Sequence, residues 1–244
     1  MKGRPVLSAT TMAVGYAAAA GLTWTLLNIP ESNVLALGAS ALCVVLVAVT
    51  AGLATAGAAA LAREGSLWSV ARRAVSGLPG FFVGLGLFAA LWWITGRAED
   101  WWSAHRGEID AVSLRYLGAT QTAPLHAAVG WAIWIVRWAL GLSVVVGPTV
   151  AGTERGLSGL GSGLRLAVRL VPIAAETAGV LIVSGGLWRL VYWRPEGLPA
   201  TNAEVAFAVA KLGLLYLGSI AIAALVVRVF VAYLTSRHET PSST

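Results

Sequence analysis

The sequence predicts an all-helical protein, a bundle of transmembrane helices forming one domain. Of its 244 residues, 57% are apolar and only 11% are charged, and the mean hydropathy of +0.77 lies outside the range of soluble domains. A helix needs about 20 apolar residues to cross a bilayer. Six stretches meet or approach that length: residues 6–27, 34–61, 81–95, 125–147, 172–193 and 205–234. We therefore expect six spans and a polar tail at residues 235–244.

The basic residues predict the orientation of these spans. Lys and Arg in short loops are retained on the cytoplasmic side. With six spans, both termini and the loops after the second and fourth spans lie on one side of the membrane, and Lys and Arg are more frequent in these segments than in the other loops. On the opposite side arginines are fewer and mixed with acidic residues, and most tryptophans lie at the helix ends there, where indole rings favour the headgroup layer. Both signals predict cytoplasmic termini. The net charge of +6 comes from short clusters, so we expect anionic lipid headgroups as partners and no nucleic acid.

Two basic segments, residues 66–79 and 157–171, precede the third and fifth spans. Arg, Ala, Val and Pro recur in register in both, and each segment has one apolar and one basic helical face. Each is expected to form a cytoplasmic interfacial elbow helix, with Pro79 or Pro172 in the first turn of the span that follows. The shared order predicts a parallel internal repeat. The arginines expected to bind lipid headgroups are Arg72, Arg73, Arg165 and Arg169.

At these elbows the chain resembles a broad group of bacterial six-helix membrane proteins. The group includes the membrane domain attached to some glycerophosphodiester phosphodiesterases. The resemblance covers about residues 63–95 and 154–193. It implies a helical architecture and a bacterial inner membrane location. The sequence holds no counterpart of the phosphodiesterase domain, so no catalytic residue is carried over.

Ionisable residues within the spans are the main candidates for function, because each costs several kcal/mol unless it is paired or solvated. Arg137 and Glu176 lie on consecutive antiparallel helices, and we expect them to form an ion pair. Lys211 shares a helical face with Glu204. His126 lies on the face of Arg137, which glycines open to another helix. These residues either line a polar path or stabilise a scaffold by pairing internally.

The outer loop and one aromatic face offer two further hypotheses. An interfacial helix is expected at residues 100–117, with Asp100 as its N-cap and Gly118 ending it. It carries His105 and Glu108, an acid and histidine cluster without the spacing of a metal site. Trp131, Trp134 and Trp138 recur at helical spacing in the fourth span. They are expected either to bind a pigment, quinone or lipid tail, or to pack against lipid or core.

The function that these features favour is non-catalytic: a scaffold, an accessory subunit of a membrane complex or a lipid-organising protein. Small residues at four-residue spacing make the first two helices the best surface for a membrane protein partner. The alternatives are a small transporter or channel using Arg137, Glu176 and Lys211, and a lipid-acting enzyme using the outer loop. No catalytic residue, metal or cofactor is expected.

Overall fold

The computed structural model describes residues 5–29, 33–63, 66–116, 121–193 and 202–236. All regular secondary structure in this part of the chain is helical, which confirms the predicted all-α class. Six helical stretches in it are long and apolar enough to cross a membrane. They are Pro5–Leu27, Val34–Leu61, Leu67–Ala104, Ala123–Ala167, Leu170–Tyr192 and Glu204–Ser236.

The helices follow one another with short interruptions. They are α1 (Pro5–Leu27), α2 (Val34–Leu61), α3 (Leu67–Ala104), α4 (Arg106–Tyr116), α5 (Ala123–Ile135), α6 (Gly141–Arg155), α7 (Leu160–Ala167), α8 (Leu170–Leu181), α9 (Arg189–Tyr192) and α10 (Asn202–Ser236). A π-helical segment, Val136–Leu140, joins α5 to α6, and another, Ile182–Leu187, follows α8. A 3₁₀ turn, Gly156–Gly159, precedes α7.

The first predicted elbow is wrong as a separate helix. Residues 66–79 and 81–95 belong to one continuous helix, because α3 passes through Pro79 without a break. A proline inside a helix removes one backbone hydrogen bond. Burial explains why the helix continues, since Gly77, Gly80 and Phe81 around the proline are buried against neighbouring helices.

The second elbow agrees with the prediction in one respect and differs in another. The chain bends between α7 and α8 at Val168 and Arg169, and Pro172 lies in the first turn of α8, as predicted. The α-helix in this segment, α7, is nevertheless shorter than the predicted helix at residues 157–171, because the segment begins with the 3₁₀ turn. The two proposed repeat copies therefore differ in conformation.

The outer interfacial helix begins later than predicted. α3 continues through Asp100 to Ala104, so Asp100 is not an N-cap, and α4 begins at Arg106. The break falls at His105, whose Nδ1 lies 2.8 Å from the Trp101 carbonyl oxygen that also accepts the His105 backbone N–H. Gly118 lies outside the described residues. Of the predicted tail, residues 235 and 236 extend α10 and the remainder lies outside the described part.

The tightest packing lies at one end of the bundle, which we call the compact end. It is formed by the C-terminal ends of α2, α6 and α10, the N-terminal half of α3, and α7. α6 lies at its centre, and glycines bring both neighbours close: a Cβ at Gly84 of α3 would lie 2.5 Å from the Val144 carbonyl oxygen. On the other side, a Cβ at Gly147 would lie 2.5 Å from the Gly163 carbonyl oxygen of α7. The core holds Met12, Val150, Leu166 and Phe230.

Small residues also join α1 to α2. A Cβ at Gly15 would lie 2.5 Å from the Cβ of Ala54, and the Ser8 hydroxyl donates to the Ala58 carbonyl at 3.1 Å. Close approach of this kind is what small residues permit between membrane helices. Part of the surface predicted for a membrane protein partner is therefore used within the chain, whereas the N-terminal half of α2 stays exposed.

Candidate functional site

A groove lies between three walls of the bundle. One wall is the end of α5 with the first π-helical segment and the start of α6, the second is α8 with the π-helical segment after it, and the third is α10. Its volume is about 560 Å³, and most of its lining is apolar. We call it the Glu176 groove. The side chains that define it are Trp134, Trp138, Glu176, Ser184, Trp188 and Ala223.

Both π-helical segments lie on the walls of the Glu176 groove. Trp138 belongs to the first, and Val183 and Ser184 belong to the second. The second segment ends with a hydrogen bond from the Trp188 N–H to the Val183 carbonyl at 2.8 Å, five residues back. π-Helical turns are rare and concentrate at functional sites, because they change the direction in which side chains point. Because π-helical segments lie on two walls of this groove, we take it as the candidate functional site.

Glu176 lies in the wall of the groove with only 5% of its surface exposed. Among the described residues none makes a hydrogen bond or an ion pair with its carboxyl group. Behind it is a smaller cavity of about 120 Å³, which Tyr16 and Thr55 also line. Their hydroxyl oxygens are 2.9 Å apart. A buried carboxyl group without a protein partner is costly in a membrane, so Glu176 is the candidate functional residue of this groove.

The predicted ion pair between Arg137 and Glu176 is wrong. The Arg137 guanidinium donates to the Glu99 carboxylate at 2.9 Å and to the Thr95 hydroxyl at 3.1 Å, and it lies 4.8 Å from the centre of the Trp92 ring. All three partners are on α3. Of the two glycines on the predicted face, Gly141 contacts α3 through Phe88, whereas a Cβ at Gly130 would meet nothing within 4 Å. The helix that approaches this face is α3, however, and not α8.

Lys211 also has its hydrogen-bond partners outside the Glu176 groove. Its ammonium group donates to the backbone carbonyls of Val191 at 2.9 Å and Trp193 at 2.7 Å. These carbonyls lie at the C-terminal end of α9, where helix carbonyls lack partners within the helix and attract cations. The ammonium also lies 5.2 Å from the Phe207 ring centre. Lys211 thus connects α10 to the end of the preceding span.

His126 connects the outer helix α4 to α5. Its Nδ1 accepts a hydrogen bond from the Trp102 indole N–H at 2.9 Å, so its Nε2 carries the proton and donates to the Asp110 carboxylate at 2.7 Å. That hydrogen bond is the main reason why the pKa of the Asp110 carboxyl lies below its usual range. Both ring nitrogens are therefore used structurally. His105 stacks on Trp101 instead, with ring centres 4.7 Å apart.

The four arginines predicted to bind headgroups fall into two groups. Arg72 and Arg73 lie on α3, with Arg72 exposed and Arg73 half-buried. Arg165 lies in the last turn of α7 and Arg169 lies in the bend that follows, and both line another cavity, at α7 and α10. No group of three or more His, Cys, Asp or Glu residues in the described part of the chain could hold a metal ion.

The predicted polar residues are therefore separated, and only Glu176 lines the groove. The π-helical segments and the Tyr16–Thr55 pair were not predicted. The sequence signal for the pair was weak, because a tyrosine in the first span and a threonine in the second are common lipid-facing residues. No family model, curated protein or solved structure matches this chain.

Proposed function

We propose that this chain is a non-catalytic integral membrane protein that organises lipid, and that the Glu176 groove holds one long apolar molecule of the bilayer. The proposed setting is a bacterial inner membrane, crossed six times, with both termini in the cytoplasm. The six apolar helices and the bias of basic residues support this setting. The observation that carries the functional proposal is the groove, which combines an apolar lining with the buried carboxyl group of Glu176, to which no described residue is paired.

The shape of the groove suits a lipid chain. Its volume falls within the range of pockets that enclose small molecules. Glu176 and Trp188 are both in its lining, and at about 1.5 Å per residue they are roughly 18 Å apart along the helix axis. An acyl or isoprenoid tail would lie along the tryptophans and aliphatic residues. A hydroxyl or amine on the ligand would contact the Glu176 carboxyl group and fix the ligand's direction.

Transport is the second candidate, and two observations favour it. Two of the apolar helical stretches are interrupted by π-helical turns, and Glu176, which has no partner in the described part of the chain, lies on the helix that leads into one of them. Transporters often place interrupted helices at their substrate sites. The path would have to use Glu176 without Arg137 and Lys211, because each of these has partners elsewhere. In that case Glu176→Gln would abolish uptake while the protein still folded normally.

A matched pair of tryptophan substitutions tests the lipid proposal. Val180 lines the groove, whereas its neighbour Leu181 is 42% exposed and lies outside the lining. Val180→Trp would place an indole ring inside the groove and obstruct it, and Leu181→Trp would add the same bulk to the outer surface. We expect native mass spectrometry of protein extracted in mild detergent to show one bound lipid for the wild type and Leu181→Trp, and its loss in Val180→Trp.

Two results would contradict the proposal. Equal lipid retention in Val180→Trp and the wild type would place the bound molecule elsewhere. Extraction of the wild type with a stoichiometric protein and no specific lipid would instead favour an accessory subunit. Thermal unfolding of both variants in detergent is the control, because a misfolded Val180→Trp would lose lipid for an unrelated reason.

A further inference from the structure

A second cavity lies at the compact end, between α7 and the C-terminal part of α10. Its volume is about 210 Å³, and three arginines line it: Arg155, Arg165 and Arg169. Ser162 and Tyr233 add hydroxyl groups. In the described part of the chain no carboxylate lines this cavity, which we call the arginine pocket. Its polar lining is therefore cationic and rich in hydrogen-bond donors.

The three arginines come from three different segments that close packing holds together. Arg155 ends α6, Arg165 lies in the last turn of α7, and Arg169 immediately precedes α8. α7 is held against α6 by backbone contact between Gly163 and Pro148. Because these contacts fix the segments that carry the arginines, a ligand would meet a backbone already in place, and the ordering cost of binding would fall on the arginine side chains.

Two of these arginines have no partner among the residues that the structure describes. Arg165 and Arg169 are exposed, and neither makes a hydrogen bond or an ion pair with any described residue. Arg63, also at the compact end, differs: its guanidinium lies 2.9 Å from the Glu154 carboxylate and donates to the Thr153 hydroxyl at 2.6 Å. Neighbouring cations without a carboxylate attract an anion. Planar guanidinium groups bind phosphate through two parallel hydrogen bonds.

Apolar residues beside the arginine pocket indicate a lipid and not a soluble anion. Leu166 and Leu234 line it, but both belong to the core and are only 4% and 8% exposed, so the apolar surface that a lipid could reach lies beside the pocket. At the adjacent bend, Val168 and Leu170 are 60% and 82% exposed. An aliphatic residue this exposed next to basic residues is typical of a surface that dips into the headgroup layer.

We propose that the arginine pocket binds the phosphate group of an anionic phospholipid. Arg165 and Arg169 hold the phosphate oxygens, and the apolar part of the lipid lies along the exposed Val168 and Leu170. This site is separate from the Glu176 groove and uses other residues. Val180→Trp therefore leaves headgroup binding unchanged, and substitutions of Arg165 or Arg169 leave the groove lipid in place. Failure of one proposal does not imply failure of the other.

The test uses purified full-length protein and a short-chain phosphatidylglycerol, titrated by native mass spectrometry. We expect Arg165→Gln and Arg169→Gln each to weaken binding about 10-fold, because each removes a charge-assisted hydrogen bond. Arg165→Lys keeps the charge but loses the paired donors, and it should lie between the wild type and Arg165→Gln. Arg97→Gln, an exposed arginine on α3 away from the pocket, should change binding less than about twofold.

Three results would overturn the proposal. If Arg97→Gln weakened phosphatidylglycerol binding as much as Arg165→Gln does, the lipid would be attracted by positive charge in general and not by this pocket. Phosphatidylcholine binding as tightly as phosphatidylglycerol would show that the anionic headgroup is not recognised. Inorganic phosphate competing at concentrations similar to the lipid would assign the pocket to a soluble anion. Melting temperatures near that of the wild type are expected for all variants, because the side chains are exposed.

Discussion

Arg137 is the clearest case of a charged residue held by the protein itself. Its side chain is 17% exposed and its guanidinium bonds to Thr95 and Glu99, while an indole ring lies beside it. The Glu99 side chain is 56% exposed, so solvent screens the ion pair. Arg137 thus fastens the π-helical segment to α3 and lies outside the Glu176 groove.

A double-mutant cycle distinguishes this arrangement from the pairing that the sequence suggested. Replacing Arg137 and Glu99 by glutamine, singly and together, should give a coupling energy of about 0.5–1 kcal/mol in denaturant unfolding in detergent. The matched cycle of Arg137 and Glu176 should give a coupling near zero, because the two side chains make no contact. A larger coupling to Glu176 than to Glu99 would show that the groove is arranged differently.

The candidate functional residues could be predicted from the sequence, but the residues that they contact could not. Glu176, Arg137, Lys211 and His126 are conspicuous because ionisable residues in apolar runs are rare. Partner choice depends on which helices touch, and nothing local in the sequence specifies that α3 meets α6. The backbone carbonyls that bind Lys211 have no sequence signature at all.

Among the elements, α6 determines the packing of the compact end. α3 approaches it through Gly77, Gly80 and Gly84, and α7 approaches its other side through Gly163. This packing also explains why α3 continues past Pro79, since the buried contacts on either side of the proline are worth more than one lost hydrogen bond. The proline was visible in the sequence, but its effect depended on tertiary contacts.

Adding one methyl group tests this packing. In Gly80→Ala the new Cβ would collide with the Pro148 carbonyl group, which is backbone and cannot rotate away. We expect a loss of about 1–3 kcal/mol in the free energy of unfolding. Gly86→Ala on the same helix meets nothing within 4 Å and should be neutral or slightly stabilising. Similar stability of the two variants would contradict the close approach of α3 and α6.

For the whole molecule, the class of fold was predictable and the internal asymmetry was not. Composition and apolar run length suffice to predict an all-helical membrane protein, because every backbone polar group must be satisfied within the bilayer. The contrast between a compact end and an open groove arises from π-helical turns and glycine contacts. The π-helical turns have no reliable sequence signal. The two basic segments from which the repeat was inferred also differ in conformation. The first is continuous with the span that follows it, whereas a bend separates the second from its span.

In our proposal the Glu176 groove holds one lipid chain. Photo-crosslinking in native membranes with a lipid that carries a reactive group on its acyl chain, followed by peptide mass spectrometry, tests this claim most directly. We predict labelling concentrated on peptides containing Trp134, Trp138 and Val183, and its loss in Val180→Trp but not in Leu181→Trp. Labelling spread evenly over the exposed faces of α1 and α2, and unchanged by Val180→Trp, would contradict the account.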